Sequence, residues 1–102
     1  MSKKNAYTLC LCLLINLTIN AQSIKHLLKQ GSEAVSKKDY SSAAQIYNQV
    51  ILIDSSKIEY QLLFADASRL NYDGDVALHW YQKIYKKDNG KTKVWNLQGQ
   101  NT

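Results

Sequence analysis

Residues 39–54 of this chain repeat at 73–88 in constant register, without a gap between the matched positions. The identities in this register are Asp39 with Asp73, Ala43 with Ala77, Tyr47 with Tyr81, and Asp54 with Asp88. Similar residues match around them, namely Leu28 with Leu62, Gly31 with Ala65, and Val50 with Ile84. A fixed period of this length is typical of a solenoid, in which one supersecondary unit stacks on its own copy. This repeat constrains the fold more strongly than any other feature of the sequence.

The hydrophobic pattern inside each unit predicts two helices. In the unit 24–57, apolar or small residues recur at spacings of three and four, first over 24–37 and then from Tyr40 to Ile53. The unit 58–91 repeats this pattern and has a turn signal at 71–74. The apolar residues expected to line its two helices are Leu62, Leu63, Ala65, Ala67 and Leu70, then Ala77, Leu78, Tyr81, Ile84 and Tyr85.

Short hydroxyl residues near the expected helix starts are candidate caps. Ser41 and Ser42 can cap the second helix of the first unit, and Ser55 or Ser56 can cap the helix that follows. We expect an all-α fold of tandem antiparallel helix hairpins.

Small residues at repeated positions indicate where paired helices approach closely. A larger side chain there would push the helices apart, because overfilling a packed interior costs about 1–3 kcal/mol. The two tyrosines at equivalent positions are expected to fill the space between successive units. The residues predicted to pack the repeats are Gly31, Ala43, Tyr47, Ala65, Ala77 and Tyr81.

These residues resemble the tetratricopeptide repeat. The repeat unit of that family is an antiparallel helix pair, and the number of residues in the unit equals the sequence distance between the matched residues of this chain. The resemblance covers residues 24–91, and its small and aromatic positions fall on the six packing residues. The chain departs from the family where Leu27 and Gln61 stand in place of Trp, and where Ser55 and Asn89 stand in place of the terminal Pro. The resemblance implies an α-solenoid that binds other proteins.

Residues 92–102 begin like a third unit, because Trp95 and Gly99 fall on the family's positions. We expect this stretch to be either the first helix of a third repeat or a capping helix. The chain would then contain about two and a third repeats in all. A capping helix presents a polar outer face, where Trp95 and Leu97 would be costly. We therefore expect the chain to be part of a longer protein.

The first 21 residues have the features of a secretory signal peptide. Lys3 and Lys4 form a positive start, and an apolar core follows over 9–19. This core is short for a spanning helix and contains polar residues, and Ala21 offers a cleavage position. Cys10 and Cys12 both lie in this segment. We expect cleavage after Ala21, giving an exported chain without a thiol, with an uncleaved anchor as the alternative.

Composition argues against several other classes of protein. The net charge is +5, but the lysines are dispersed along the chain as single residues and pairs, and Arg69 is the only arginine. Nucleic-acid binding, which needs a concentrated basic face, is therefore not expected. His26 and His79 have no second ligand at the following third or fourth residue, and no glycine-rich phosphate loop occurs. We expect no enzyme activity, no cofactor and no metal.

The resemblance implies a partner-binding face built from the first helix of each unit. The residues of this chain that stand at the family's binding positions are Lys25, Leu28, Ser32, Val35, Glu59, Leu62, Asp66, Arg69, Lys93 and Asn96. We expect a protein partner at the periplasm or the outer-membrane periphery, with peripheral association to the outer membrane through a larger complex. The alternative for these residues is a merely solvated surface.

A narrower resemblance offers a second function. A signal ending at Asn20, Ala21 and Gln22, followed by the Lys-rich repeat at 37–56, is similar to the start of multidomain envelope proteins of gliding bacteria. Those proteins carry tetratricopeptide repeats, a propeller and an OmpA-like domain. This likeness implies a structural role at the start of a larger OmpA-like scaffold in type IX secretion or gliding.

Overall fold

A computed structural model describes residues 23–95 and shows four helices with no β-strand in that range. Helix α1 covers 23–36, α2 covers Tyr40–Ile53, α3 covers Ile58–Leu70 and α4 covers Gly74–Asp88. Consecutive helices pack against each other along the chain. The predicted all-α fold of helical hairpins is therefore confirmed. The predicted signal peptide over 1–21 lies outside the described residues.

The turns inside the two hairpins have the same backbone geometry. Lys38 and Tyr72, which occupy equivalent positions of the two units, both have left-handed backbones with φ of 60° and 62°. Two amide hydrogen bonds close each turn in the same register. They are Lys38 to the Val35 carbonyl (2.9 Å), Asp39 to Ala34 (2.9 Å), Tyr72 to Arg69 (3.0 Å) and Asp73 to Ser68 (2.8 Å). This pair of bonds is a Schellman motif, so both first helices end in the same way.

Helix α2 is capped by Asp39 and not by the predicted serines. The Asp39 carboxylate accepts a hydrogen bond from the Ser42 amide at 3.2 Å, while Ser41 and Ser42 lie inside the first turn of the helix. The first backbone amides of a helix have no acceptor within the helix. The side chain of an aspartate one residue before the helix reaches these amides better than that of a serine within the helix. The serine prediction for α2 is wrong.

Helix α3 begins after Lys57 without any side-chain cap, so Ser55 and Ser56 do not cap it. Ser56 instead donates from its amide (3.0 Å) and hydroxyl (2.6 Å) to Asp54. Asp88, the repeat equivalent of Asp54, accepts from the Thr92 amide (2.9 Å) and hydroxyl. Each unit therefore ends with an aspartate that fixes the following turn.

The six residues assigned to repeat packing are all buried. Ala43, Ala65 and Ala77 are 0% exposed, and Tyr47 and Tyr81 are 3% and 2% exposed. Gly31 is buried against the Tyr47 ring. The core thus repeats one arrangement, in which a small residue on a first helix allows the second helix and its tyrosine to approach.

The buried stripe of α3 differs from the predicted one. Gln61, Phe64, Ala65 and Ser68 are buried, whereas Leu63 is 37% exposed. These buried positions follow spacings of three and four, and α3 packs on both α2 and α4. Because α2 and α4 cover α3 from both sides, the polar residues Gln61 and Ser68 are buried as well. The spacing of apolar residues does not predict the burial of polar ones.

Two apolar residues that we expected to line α4 lie largely at the surface. Leu78 is 39% exposed and Tyr85 is 52% exposed, while Ala77, Tyr81 and Ile84 form the buried face. Helix α4 packs on α3 through the face that carries Ala77, Tyr81 and Ile84, and Leu78 and Tyr85 lie outside this buried face.

The segment after α4 turns back onto the second hairpin. Asn89 and Gly90 have left-handed backbones, and residues 91–95 are not helical. Val94 is 5% exposed and packs with Ala65 and Tyr81. The helix predicted over 92–102 is thus not formed at 92–95, where the Asp88–Thr92 bonds hold a turn, and 96–102 lie outside the described residues.

Substitution of Gly31 by Ala tests the close approach of α1 and α2. A Cβ at this position would stand 2.4 Å from Cε1 of the buried Tyr47 ring. Overpacking lowers the free energy of unfolding by about 1–3 kcal/mol. The higher helix propensity of alanine relative to glycine raises it by about 1 kcal/mol. We expect a net loss of about 1 kcal/mol in urea unfolding, whereas Ser32→Ala next to it stays within about 0.5 kcal/mol. A Gly31→Ala variant as stable as the parent would contradict the packing.

Acid unfolding tests the three aspartates that accept hydrogen bonds at helix ends, namely Asp39, Asp54 and Asp88. Hydrogen bonds from Ser42, Ser56 and Thr92 lower the pKa of Asp39, Asp54 and Asp88 below their ordinary value of 3.8. Their stabilisation is therefore present above the unfolded-state pKa and is lost as the pH falls through the lower folded-state values.

We expect the urea midpoint to fall as the pH is lowered below about 4. The variant with Asn at all three of these positions should be less stable at neutral pH and should lose less stability on acidification. Asp73→Asn is the control, because the Asp73 side chain makes no capping hydrogen bond. An equally steep acid loss in the triple variant would disprove this role.

Candidate functional site

Most residues of the predicted partner-binding face lie on α1 and α3, and they differ in exposure. Lys25, Ser32 and Glu59 are exposed. The half-buried members are Leu28, Val35, Leu62, Asp66 and Arg69. Lys93 is exposed in the segment after α4, and Asn96 lies outside the described residues.

The apolar members of this face also belong to the interior. Leu28 and Val35 pack against the cluster that contains Ala43 and Tyr47. Leu62 packs against the cluster of the second hairpin. Their half-buried side chains leave only part of their apolar surface for a partner.

The structure joins Asp66 and Arg69 through the Tyr81 hydroxyl. The hydroxyl donates a hydrogen bond to Asp66 Oδ1, and Arg69 Nε donates to the hydroxyl oxygen at 3.1 Å. One buried ring of the repeat core thus holds two residues of the predicted face. Their side chains have a structural role that the sequence did not reveal, since they are distant from Tyr81 along the chain.

Arg69 has a second contact on its other side. Its guanidinium carbon lies 4.7 Å from the centroid of the Trp95 ring, which is 44% exposed. A cation over an indole face at this distance is attractive by about 0.5–1 kcal/mol when exposed. Arg69 therefore links α3 to both α4 and the returning segment.

The hydroxyl at the centre of this network remains a hydrogen-bond donor over the physiological range. Burial, together with the bond to Asp66, raises the pKa of Tyr81 to about 12. The equivalent Tyr47 has its pKa raised by burial, and no hydrogen bond of its hydroxyl is found among the described residues. The two tyrosines fill equivalent places, but only Tyr81 organises charged groups.

Lys25 and Glu59 are the clearest free charges on the predicted face. They occupy equivalent positions of the two units, and both side chains are exposed. The face thus presents a cation on the first hairpin and an anion on the second. A partner with matching charges in the opposite order would be favoured.

A concave feature lies on the other side of α3. A pocket of roughly 250 Å³ is formed by α2, the end of α3 and the start of α4. Gln45, Asn48, Phe64, Asn71 and Asp73 are among its lining residues. No residue of the predicted face lines it. No sequence pattern signals this pocket, because three separate elements build it.

Two kinds of feature are absent from residues 23–95. No group of three or more His, Cys, Asp or Glu side chains in this range is placed to hold a metal ion. No helix in the same range combines the length and apolar character that a membrane span requires.

No family model, curated protein or solved structure matches the chain.

Replacing Tyr81 with Phe tests the network, and Tyr47→Phe is its matched control. Loss of the Tyr81 hydroxyl leaves partly buried Asp66 and Arg69 groups without their partner, which costs about 1–3 kcal/mol. We expect a loss of about 1 kcal/mol in urea unfolding for Tyr81→Phe and less than about 0.5 kcal/mol for Tyr47→Phe. Equal effects of the two substitutions would show that the network contributes nothing beyond packing.

Proposed function

We propose that this chain is an exported tetratricopeptide-like module that binds a protein partner at the bacterial cell envelope. The observation that supports it is the repetition of one helical hairpin at a constant spacing along the chain, in core residues and in turn geometry alike. Stacked hairpins present the same face of successive first helices side by side. Such a face suits recognition of an elongated partner better than it suits chemistry.

Export is the second part of the proposal. The positive start, the short apolar core and Ala21 are the features of a cleaved secretory signal. The mature chain would act in the periplasm or at the outer-membrane periphery, associating with the outer membrane through a larger complex. In the alternative, a structural role in an OmpA-like scaffold, the same hairpins would hold neighbouring domains.

The partner is proposed to lie along the face that carries Lys25, Ser32 and Glu59. These three residues are exposed on α1 and α3, and Leu28 and Leu62 offer part of their apolar surface beside them. Exposed charge gives selectivity and speed of association, and the apolar parts add affinity. Arg69 is unsuitable for testing this face by charge reversal, because its side chain also holds Tyr81 and Trp95.

Site-specific photo-crosslinking tests the proposal in intact cells. A photoreactive amino acid replaces Ser32 on the proposed face, and the control replaces Gln49, which is also exposed but lies on α2. We expect a discrete envelope-protein adduct from position 32 and none at the same mass from position 49. Adding Lys25→Glu and Glu59→Lys together should reduce the yield at position 32, because both charges are then inverted.

Two results would contradict partner binding along this face. One is an identical adduct pattern from positions 32 and 49. The other is an adduct at position 32 whose yield does not change after charge inversion, with the fold shown intact by circular dichroism. Recovery of the chain only in the cytoplasm, with residues 1–21 still attached, would contradict export.

A further inference from the structure

We propose that the pocket between α2, α3 and α4 binds a lysine side chain presented by a partner polypeptide. This site is separate from the first-helix face, since the two share no residue, and it makes no use of the function proposed above. Its support comes from three properties of the lining residues: an apolar floor, one uncommitted carboxylate and a surround of side-chain amides.

The floor of the pocket is apolar and continuous with the core. Phe64 is 9% exposed and belongs to the first core cluster, against which Ala44 and Val76 are packed. The Phe64 ring also makes a T-shaped contact with Trp80, with 6.0 Å between the ring centroids. The methylene chain of a lysine can lie on such a surface while its ammonium group reaches a polar rim.

Asp73 supplies the only charge among the described lining residues. Its repeat equivalent Asp39 caps α2 through Ser42, but Asp73 makes no side-chain cap for α4. Asp39 also has the Ser42 side chain as a donor, whereas the residue at the equivalent position of the second unit is Val76, which offers Asp73 no side-chain donor. The Asp73 carboxylate is thus free to pair with a cation, and Val76 contributes to the floor instead.

Side-chain amides complete the rim. Gln45 and Asn48 come from α2, and Asn71 comes from the end of α3; all three are exposed lining residues. Each amide offers a carbonyl acceptor and two N–H donors, the same groups that a peptide backbone needs. Together they fit the main chain on either side of an inserted lysine. An acidic side chain would instead meet Asp73 without any lining cation.

Nuclear magnetic resonance provides a direct test, because the side-chain amides give their own resolved signals. The ¹⁵N-labelled chain is titrated with N-acetyl-lysine-methylamide as the probe. N-acetyl-norleucine-methylamide has a similar aliphatic stem without the charge, and N-acetyl-glutamate-methylamide reverses it. We expect saturable shifts of the Gln45, Asn48 and Asn71 side-chain signals with the lysine probe, and binding about fivefold weaker with norleucine.

Asp73→Asn should reduce lysine binding to the norleucine level, whereas Asp75→Asn, an exposed acidic residue outside the pocket, should leave it unchanged. Four results would overturn the proposal: no shift of the three amide signals, equal binding of lysine and norleucine, binding of glutamate as strong as lysine, or full lysine binding by Asp73→Asn. Failure here leaves crosslinking at Ser32 unaffected, so the two proposals can be judged apart.

Discussion

The close approach of paired helices at a small residue is the constraint on which this structure depends. Gly31 touches the Tyr47 ring so closely that even a methyl group would collide with it. In the second hairpin Ala65 and Tyr81 occupy the equivalent places and are both buried. Each tyrosine can enter the core only because its small counterpart lets the helices meet. The sequence repeat therefore reflects the same contact between paired helices, formed once in each hairpin.

The two hairpins share a fold but differ in the chemistry that they support. The first is capped by an aspartate and has a tyrosine without an observed hydrogen bond among the described residues. The second uses its tyrosine to join Asp66 and Arg69, and Arg69 in turn covers Trp95. It also leaves Asp73 free at a pocket. Repetition therefore provides the framework, and individual substitutions within the second unit provide the candidate sites.

Sequence reasoning succeeded where a property repeats locally and failed where separate elements meet. The helices, their turns and the burial of Tyr47 and Tyr81 follow from period and hydrophobic spacing. The burial of Gln61 does not, because it depends on α3 being covered by both neighbours. The Arg69–Tyr81 contact and the pocket around Asp73 join residues from different helices. No spacing rule within one helix carries that information.

Nuclear Overhauser effects from the two tyrosine rings test the central claim most directly. If the hairpins nest at their small residues, the Tyr47 ring protons must contact the Gly31 α-protons, and the Tyr81 ring protons must contact the Ala65 methyl group. Both rings should also show chemical shifts far from those of a free tyrosine. Rings with free-tyrosine shifts and no contact to these two residues would contradict the repeat fold and everything inferred from it.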